Sequence, residues 1–254
     1  MLRWWVPLGV ALCVASMPVS RAHLSGIGEP VGQGDPTAEQ LLDRAANALG
    51  GADRLRAINR LRITAIERQS RRPDSGQGRT FKVWLPDRFQ SNVAGLVTHT
   101  LNGGRLTIDR EVPPEARRNA EQAIPGMFRN VALAFLLRAP GLSAPRLHGE
   151  VTIADLKGTL VEFTAQGGRS LKLLLAPRTA HPLALVYPVR ASGSTAQLSD
   201  LVWRLEDYRV IEGVRFPFRL TIVFPQNQLI TEVKEIEVNP RFTPADFRVD
   251  MNSP

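Results

Sequence analysis

In the stretch VRFPFRLTIVF, residues 214–224, an apolar side chain stands at every second position: Val214, Phe216, Phe218, Leu220, Ile222 and Phe224. Arg215, Pro217, Arg219 and Thr221 fill most of the gaps. A strand sends successive side chains to opposite faces, so this run makes one oily face and one face that suits water. Such a strand belongs to an antiparallel sheet whose dry side must be covered. The cover is either an ordinary core or the wall of a space that holds something.

The same period recurs along the chain. Leu61, Ile63 and Ala65 alternate with polar residues, residues 71–78 read as a polar turn, and Phe81, Val83 and Leu85 alternate again, the pattern of a hairpin with one dry face. Further strands are expected at 89–93, 96–101 and 105–109, the last two joined by the tight-turn signal Asn102-Gly103-Gly104. Others fall at 150–156, 159–165, 170–176, 184–189, 198–208 and 229–238. In the last of these the apolar parity changes between Val233 and Ile236, which predicts a β-bulge near Lys234-Glu235.

Helical signals are few. Thr37-Ala38-Glu39-Gln40 is a capping box, Leu41, Ala45 and Leu49 follow at helical spacing, and Gly50-Gly51 ends the helix. Residues 52–58 read as a second short helix with Leu55 and Ile58 facing inward. Pro113-Pro114 opens a third helical region, which Pro125-Gly126 is expected to break. Residues 127–137 (MFRNVALAFLL) then form a helix that is apolar almost all round, either a buried core helix or a lid over a cavity. The fold class is α+β, with residues 37–254 forming a single domain dominated by one antiparallel sheet.

The amino terminus carries an address. MLRWWVPLGVALCVASMPVSRA has a basic start, an apolar run shorter than the ~20 residues of a spanning helix, and small residues at Ser20 and Ala22, so cleavage of a signal peptide (residues 1–22) after Ala22 is expected. Residues 23–36, rich in Gly and Pro, read as a flexible leader. Cys13, the only cysteine, would leave with the signal, and with it any disulfide or thiolate site. The formal net charge is +8, and all but Lys82, Lys157, Lys172 and Lys234 of the 32 basic residues are arginine. No nucleic-acid motif accompanies this charge, so nucleic acid is not an expected partner, whereas an anionic membrane surface or a membrane-bound partner suits it.

Catalytic signatures are missing. His23, His99, His148 and His181 are widely separated, no metal-binding spacing, G-x-S-x-G elbow or phosphate loop occurs, and neither a metal nor a cofactor is expected. Glu67, Asp109, Glu162 and Asp207 read as single solvated carboxylates on polar strand faces. The chain is not expected to be an enzyme.

The segments ALGGADRLRAI (48–58), TAHPLALVY (179–187), DYRVIEGVRFPFRLTI (207–222) and EIEVNPRFTPADF (235–247), in this order, resemble the Lol-type superfamily of outer-membrane lipoprotein carrier and lipoprotein-sorting proteins of Gram-negative bacteria. The resemblance covers most of the chain and is clearest over residues 179–247. It implies an unclosed antiparallel β-barrel, a half-barrel whose concave face is covered by helices, and an apolar hollow that takes lipid or lipoprotein acyl chains. It implies a periplasmic carrier or binding protein; the other role implied is a regulatory module sensing outer-membrane components. The lipid-lining residues would be Phe81, Val83, Phe89, Met127, Val131, Phe135, Leu173, Trp203, Phe216, Phe218, Leu220 and Ile222. One position departs from the shuttle carriers, whose strand end reads approximately Lys-Arg-Pro-x-x-Phe. Here Trp84-Leu85-Pro86-Asp87-Arg88-Phe89 puts leucine where that arginine latches the helices.

Overall fold

The structure is a computed structural model, and it describes residues 36–93, 99–108, 111–139, 141–165, 169–190, 198–223 and 227–248. The expected signal peptide and nearly all of the leader, with Asp109 and Phe224, lie outside the described residues.

Two short helices, α1 (Ala38–Ala48) and α2 (Ala52–Ala57), precede five strands: β1 (Arg60–Gln69), β2 (Arg72–Trp84), β3 (Arg88–Val93), β4 (His99–Asn102) and β5 (Arg105–Ile108). A long helix, α3 (Pro114–Leu136), leads to β6 (Arg146–Ile153), β7 (Leu156–Ala165), β8 (Arg169–Leu175) and β9 (Pro182–Arg190). The chain ends with β10 (Leu198–Ile211), β11 (Val214–Val223), β12 (Gln228–Val238) and a 3-10 turn (Pro244–Phe247).

All twelve strands form one antiparallel sheet in the order β5-β4-β3-β2-β1-β12-β11-β10-β9-β8-β7-β6. Each strand lies beside its neighbour in sequence except where β1 pairs with β12. β5 and β6 occupy opposite edges and do not pair, so the sheet is open and fits an unclosed half-barrel. α3 is the connection between those two edges.

Register explains why one face is dry. Leu61 faces Val83 and Ile63 faces Phe81 across β1 and β2, while Trp203 faces Ile222 and Leu205 faces Leu220 across β10 and β11. With the inward side chains of β8 and β9 they join α1 and α3 in one buried cluster. The register between β1 and β12 shifts between Thr64 and Ala65, opposite Glu235 and Val233, which leaves Lys234 as the extra residue of the expected bulge.

Three expectations need correction. Residues 71–78 are not a turn: β2 begins at Arg72, and only Ser70 and Arg71 make the bend. The sheet's backbone ladder continues past the apolar residues because amide pairing does not depend on side-chain polarity. The stretch 150–156 is not one strand either, since the chain turns at Ala154-Asp155, both at positive φ, between β6 and β7. Nor do Pro125 and Gly126 break α3. Proline forfeits one helical hydrogen bond at a cost of ~3 kcal/mol, but the buried side chains of Ile124, Met127 and Phe128 offset it at ~1.5–3 kcal/mol each. Ala120 and Ile124 extend the buried stripe of Phe128, Val131 and Phe135 back through the proline.

The capping box of α1 forms as read, with Thr37 and Gln40 exchanging hydrogen bonds. The helix is then docked by its end. The Leu49 carbonyl accepts from the Arg215 amide at 2.7 Å, and the Ala48 carbonyl accepts from the Arg215 guanidinium at 3.0 Å. Gly50 (φ 123°) makes this approach possible, since a Cβ there would lie 2.2 Å from the Gly213 carbonyl oxygen in the β10–β11 turn. Gly50→Ala is therefore expected to destabilise the protein by roughly 2–3 kcal/mol, read as a lowered urea midpoint. An unchanged midpoint would show that α1 does not dock there.

The other face of the sheet is covered in two places. Phe247 meets Phe242 edge-on and lies tilted against Trp84, with Arg60 and Arg88 over the Trp84 ring. Leu160, Leu174, Ala184, Val186 and Val202 form a second, smaller cluster with Ile153. Arg204 reaches across this cluster to donate to the Ala154 carbonyl at 2.6 Å. Asn239, at φ 49°, ties the strand ends together: its side-chain carbonyl accepts from the Asn59 amide and its NH2 donates to the Ala57 carbonyl.

Candidate functional site

α3 meets the dry face of the sheet through two aromatic contacts. Phe128 stacks on Phe89 of β3 at 5.5 Å between centroids, and Phe135 lies 6.3 Å from Phe216 of β11. Phe89 is stacked in turn on Phe81 at 6.1 Å. A small hollow lies between helix and sheet, lined by Met127, Val131 and Phe135 on the helix side. Ile63, Phe81, Trp203, Leu220, Ile222 and Val233 line the sheet side.

A water-sized sphere moves freely in only about 20 Å³ of the hollow. That is room for about one water. That space is too small for a chain molecule.

Seven of the expected lining residues border this space: Phe81, Met127, Val131, Phe135, Trp203, Leu220 and Ile222. Val83, Phe89, Leu173 and Phe216 belong to the same buried cluster without bordering the hollow. Phe218 is buried at the margin, with the Arg209 guanidinium 4.5 Å over its ring.

One polar feature of the hollow escaped the sequence reading. Glu67 is not a solvated carboxylate: it lies with Arg79 on the wall of the hollow, and the Arg79 Nη1 donates to Glu67 Oε2. The Arg79 side chain is 3% exposed and that of Glu67 15%. Arg79 stands opposite Ala65 in the ladder and reaches diagonally to Glu67, which stands opposite Thr231 of β12, another lining residue. The signal was present in the parity. Glu67 continues Leu61, Ile63 and Ala65, and Arg79 precedes Phe81 and Val83, each two residues from an inward position.

Glu162 is likewise engaged, accepting from the Ser170 hydroxyl and bonded to His148 Nε2. The carboxylate stands between serine and histidine, whereas a hydrolytic triad needs the histidine between serine and acid, so His148 cannot take the Ser170 proton. Burial pushes the Glu162 carboxyl up, but the bonds from Ser170 and His148, with the His148 and Lys172 charges, outweigh it and hold it below the usual range. A depressed carboxyl contributes stability that is complete above the unfolded value of ~4.3 and is lost as pH falls through the folded value. Glu162→Gln is accordingly expected to narrow the gap between urea midpoints measured at neutral and acid pH. A gap of undiminished size would place the acid sensitivity elsewhere. Asp207, by contrast, is exposed and paired with Arg209 at 2.6 Å, close to the expected solvated state.

Among the described residues no group of three or more His, Cys, Asp or Glu is arranged to hold a metal ion, and no helix is long and apolar enough to cross a membrane.

No protein-family model matches the chain, and no curated protein does. Among solved structures, a LolA superfamily protein from Nitrosomonas europaea aligns with a TM-score of 0.53 over 85% of this chain and 99% of its own, at 12% identity. The fold is that of a LolA superfamily protein. An outer-membrane lipoprotein-sorting protein domain from Vibrio parahaemolyticus aligns at a TM-score of 0.44 over 81% of this chain and 97% of its own, at 7% identity.

Leu85 packs against the core cluster, and Arg88 is held on the other face, over Trp84 and donating to Asn102 Oδ1 at 3.0 Å. Neither can bond to α3 from there. The end of α3 is held by Arg138 instead, which donates to the Arg56 carbonyl at 3.0 Å, to the Ile58 carbonyl and to Asn59 Oδ1 at 3.1 Å, just past α2. Burial lowers the Arg138 pKa from its ordinary value.

Proposed function

We propose that the protein is a non-enzymatic periplasmic carrier or binding protein for lipid-like ligands, and that it holds acyl chains between α3 and the concave face of the half-barrel. The observation that supports this most is the apolar hollow under α3, closed by two aromatic contacts and lined on both sides by aliphatic and aromatic groups. The reversed order of Ser170, Glu162 and His148 also favours binding over hydrolysis. The likeness of the fold to a LolA superfamily protein is in keeping with this reading.

The opening motion follows from where α3 is anchored. Arg138 fixes its C-terminal end to α2 and the residues just after it, so the helix swings about that end and Phe128, farther along it, leaves the sheet. No cofactor takes part.

The test is titration with an apolar fluorescent probe. Saturable uptake of about one probe per chain is expected, because apolar surface leaves water on binding. Val131→Asp should weaken uptake by at least about tenfold by placing a charge in the hollow. A parent protein that takes up no probe at any concentration ends this reading.

A further inference from the structure

We infer that the Glu67–Arg79 pair selects ligands by the polar group at the head of the acyl chain, admitting a neutral carbonyl of an ester or amide and disfavouring a free carboxylate. This deepens the acyl-chain reading and depends on it.

The hollow is lined by apolar side chains apart from the Trp203 indole, whose buried Nε1–H has no partner, and one place that carries charge. There Arg79, more than nine-tenths buried, lines the hollow, spends Nη1 on Glu67 and keeps a buried Nε–H without an acceptor. A buried donor without a partner is costly, and a guanidinium donor gives one of the stronger hydrogen bonds available to a neutral acceptor. The pair it belongs to carries no net charge. A carboxylate placed against Nε would bring a second negative group beside Glu67 and would lose its hydration with no unpaired cation to compensate it. A carbonyl oxygen accepts the same hydrogen bond and adds no charge. Thr231, across from Glu67 on the same wall, adds a hydroxyl beside the pair. Nothing else lining the hollow is charged, so discrimination against a carboxylate falls on this pair, while the Trp203 indole is a second donor whose share the Arg79 variants separate.

Three ligands of equal length separate the possibilities: methyl laurate, laurate at a pH where it is fully ionised, and dodecyl methyl sulfide, which has no oxygen acceptor. Competition against the fluorescent probe is expected to rank methyl laurate about tenfold ahead of the sulfide and of laurate. Arg79→Met should erase the advantage of the ester over the sulfide. Glu67→Leu/Arg79→Met, which removes both charges and spares the fold an unpaired one, should erase it too. Glu67→Gln leaves an uncompensated arginine and should place laurate ahead of the ester, which a merely oily pocket would not do. Equal binding of ester and sulfide by the parent, or an ester advantage that survives both Arg79 variants, overturns the inference and leaves acyl-chain binding standing. Failure of all three ligands to displace or bind overturns it together with the reading beneath it.

Discussion

Arg79→Met is expected to cost about 3–5 kcal/mol of folding stability, the range for breaking a buried ion pair from one side. The Arg79 side chain is 3% exposed, and its removal strands the Glu67 carboxylate, 15% exposed, against Ile63, Phe81 and Val233. Methionine fills much of the same volume, so the loss would report the stranded charge rather than a void. The comparison that proves the point is Glu67→Leu/Arg79→Met, in which no charge remains. Replacing a buried pair by apolar residues of similar size is often neutral or stabilising, so the double variant should recover most of the loss. Urea midpoints of the parent, both single variants and the double variant form the cycle. Additive losses would mean that the two side chains do not interact in the folded protein, and the headgroup inference would fall with them.

Phe89→Ala should have an effect of similar size, about 3–5 kcal/mol, for a different reason. Phe89 is fully buried and stacked between Phe81 and Phe128, so its truncation removes a ring that touches both the sheet and α3. It does not border the hollow, and the surrounding strand cannot collapse into the space it leaves. The variant also carries a signature that an ordinary core lesion lacks. Phe89–Phe128 is one of the two aromatic contacts between α3 and the sheet, so its loss lowers the free energy needed to open the hollow. Probe uptake should become faster in a protein that is less stable. Phe135→Ala tests the other contact, but Phe135 lines the hollow and its loss also changes the wall. Slower or unchanged uptake by Phe89→Ala, measured where the variant remains folded, would show that α3 is not the moving part.

The strand pattern was legible because it follows from a local property. A backbone in the β conformation alternates its side chains whatever it pairs with, so residues 214–222 announced their buried face, and the parity change before Ile236 announced the bulge. The capping box at Thr37 and the Gly103-Gly104 turn are local as well, and both formed as read. Failures came where a local signal was outweighed by contacts distant in sequence. Pro125 looked like a helix end until Ile124, Met127 and Phe128 proved to be buried on either side of it. Residues 71–78 looked like a turn because their side chains are polar, although their backbone is paired with β1.

The sequence by itself determined that this chain would fold into an antiparallel sheet with one apolar face and a helical stretch with no wet side. Period and composition suffice for that, since each strand and helix must bury the face its own residues make. The tertiary structure alone decided the full strand order, that β1 would pair with β12, and that α3 would connect the two free edges. It also decided that Glu67 and Arg79 are partners. Each was a charged residue at an inward parity, and only the β1–β2 register, set by pairing a dozen residues apart, brings the two into contact on the wall of an otherwise apolar hollow, where a charge persists only if it is matched.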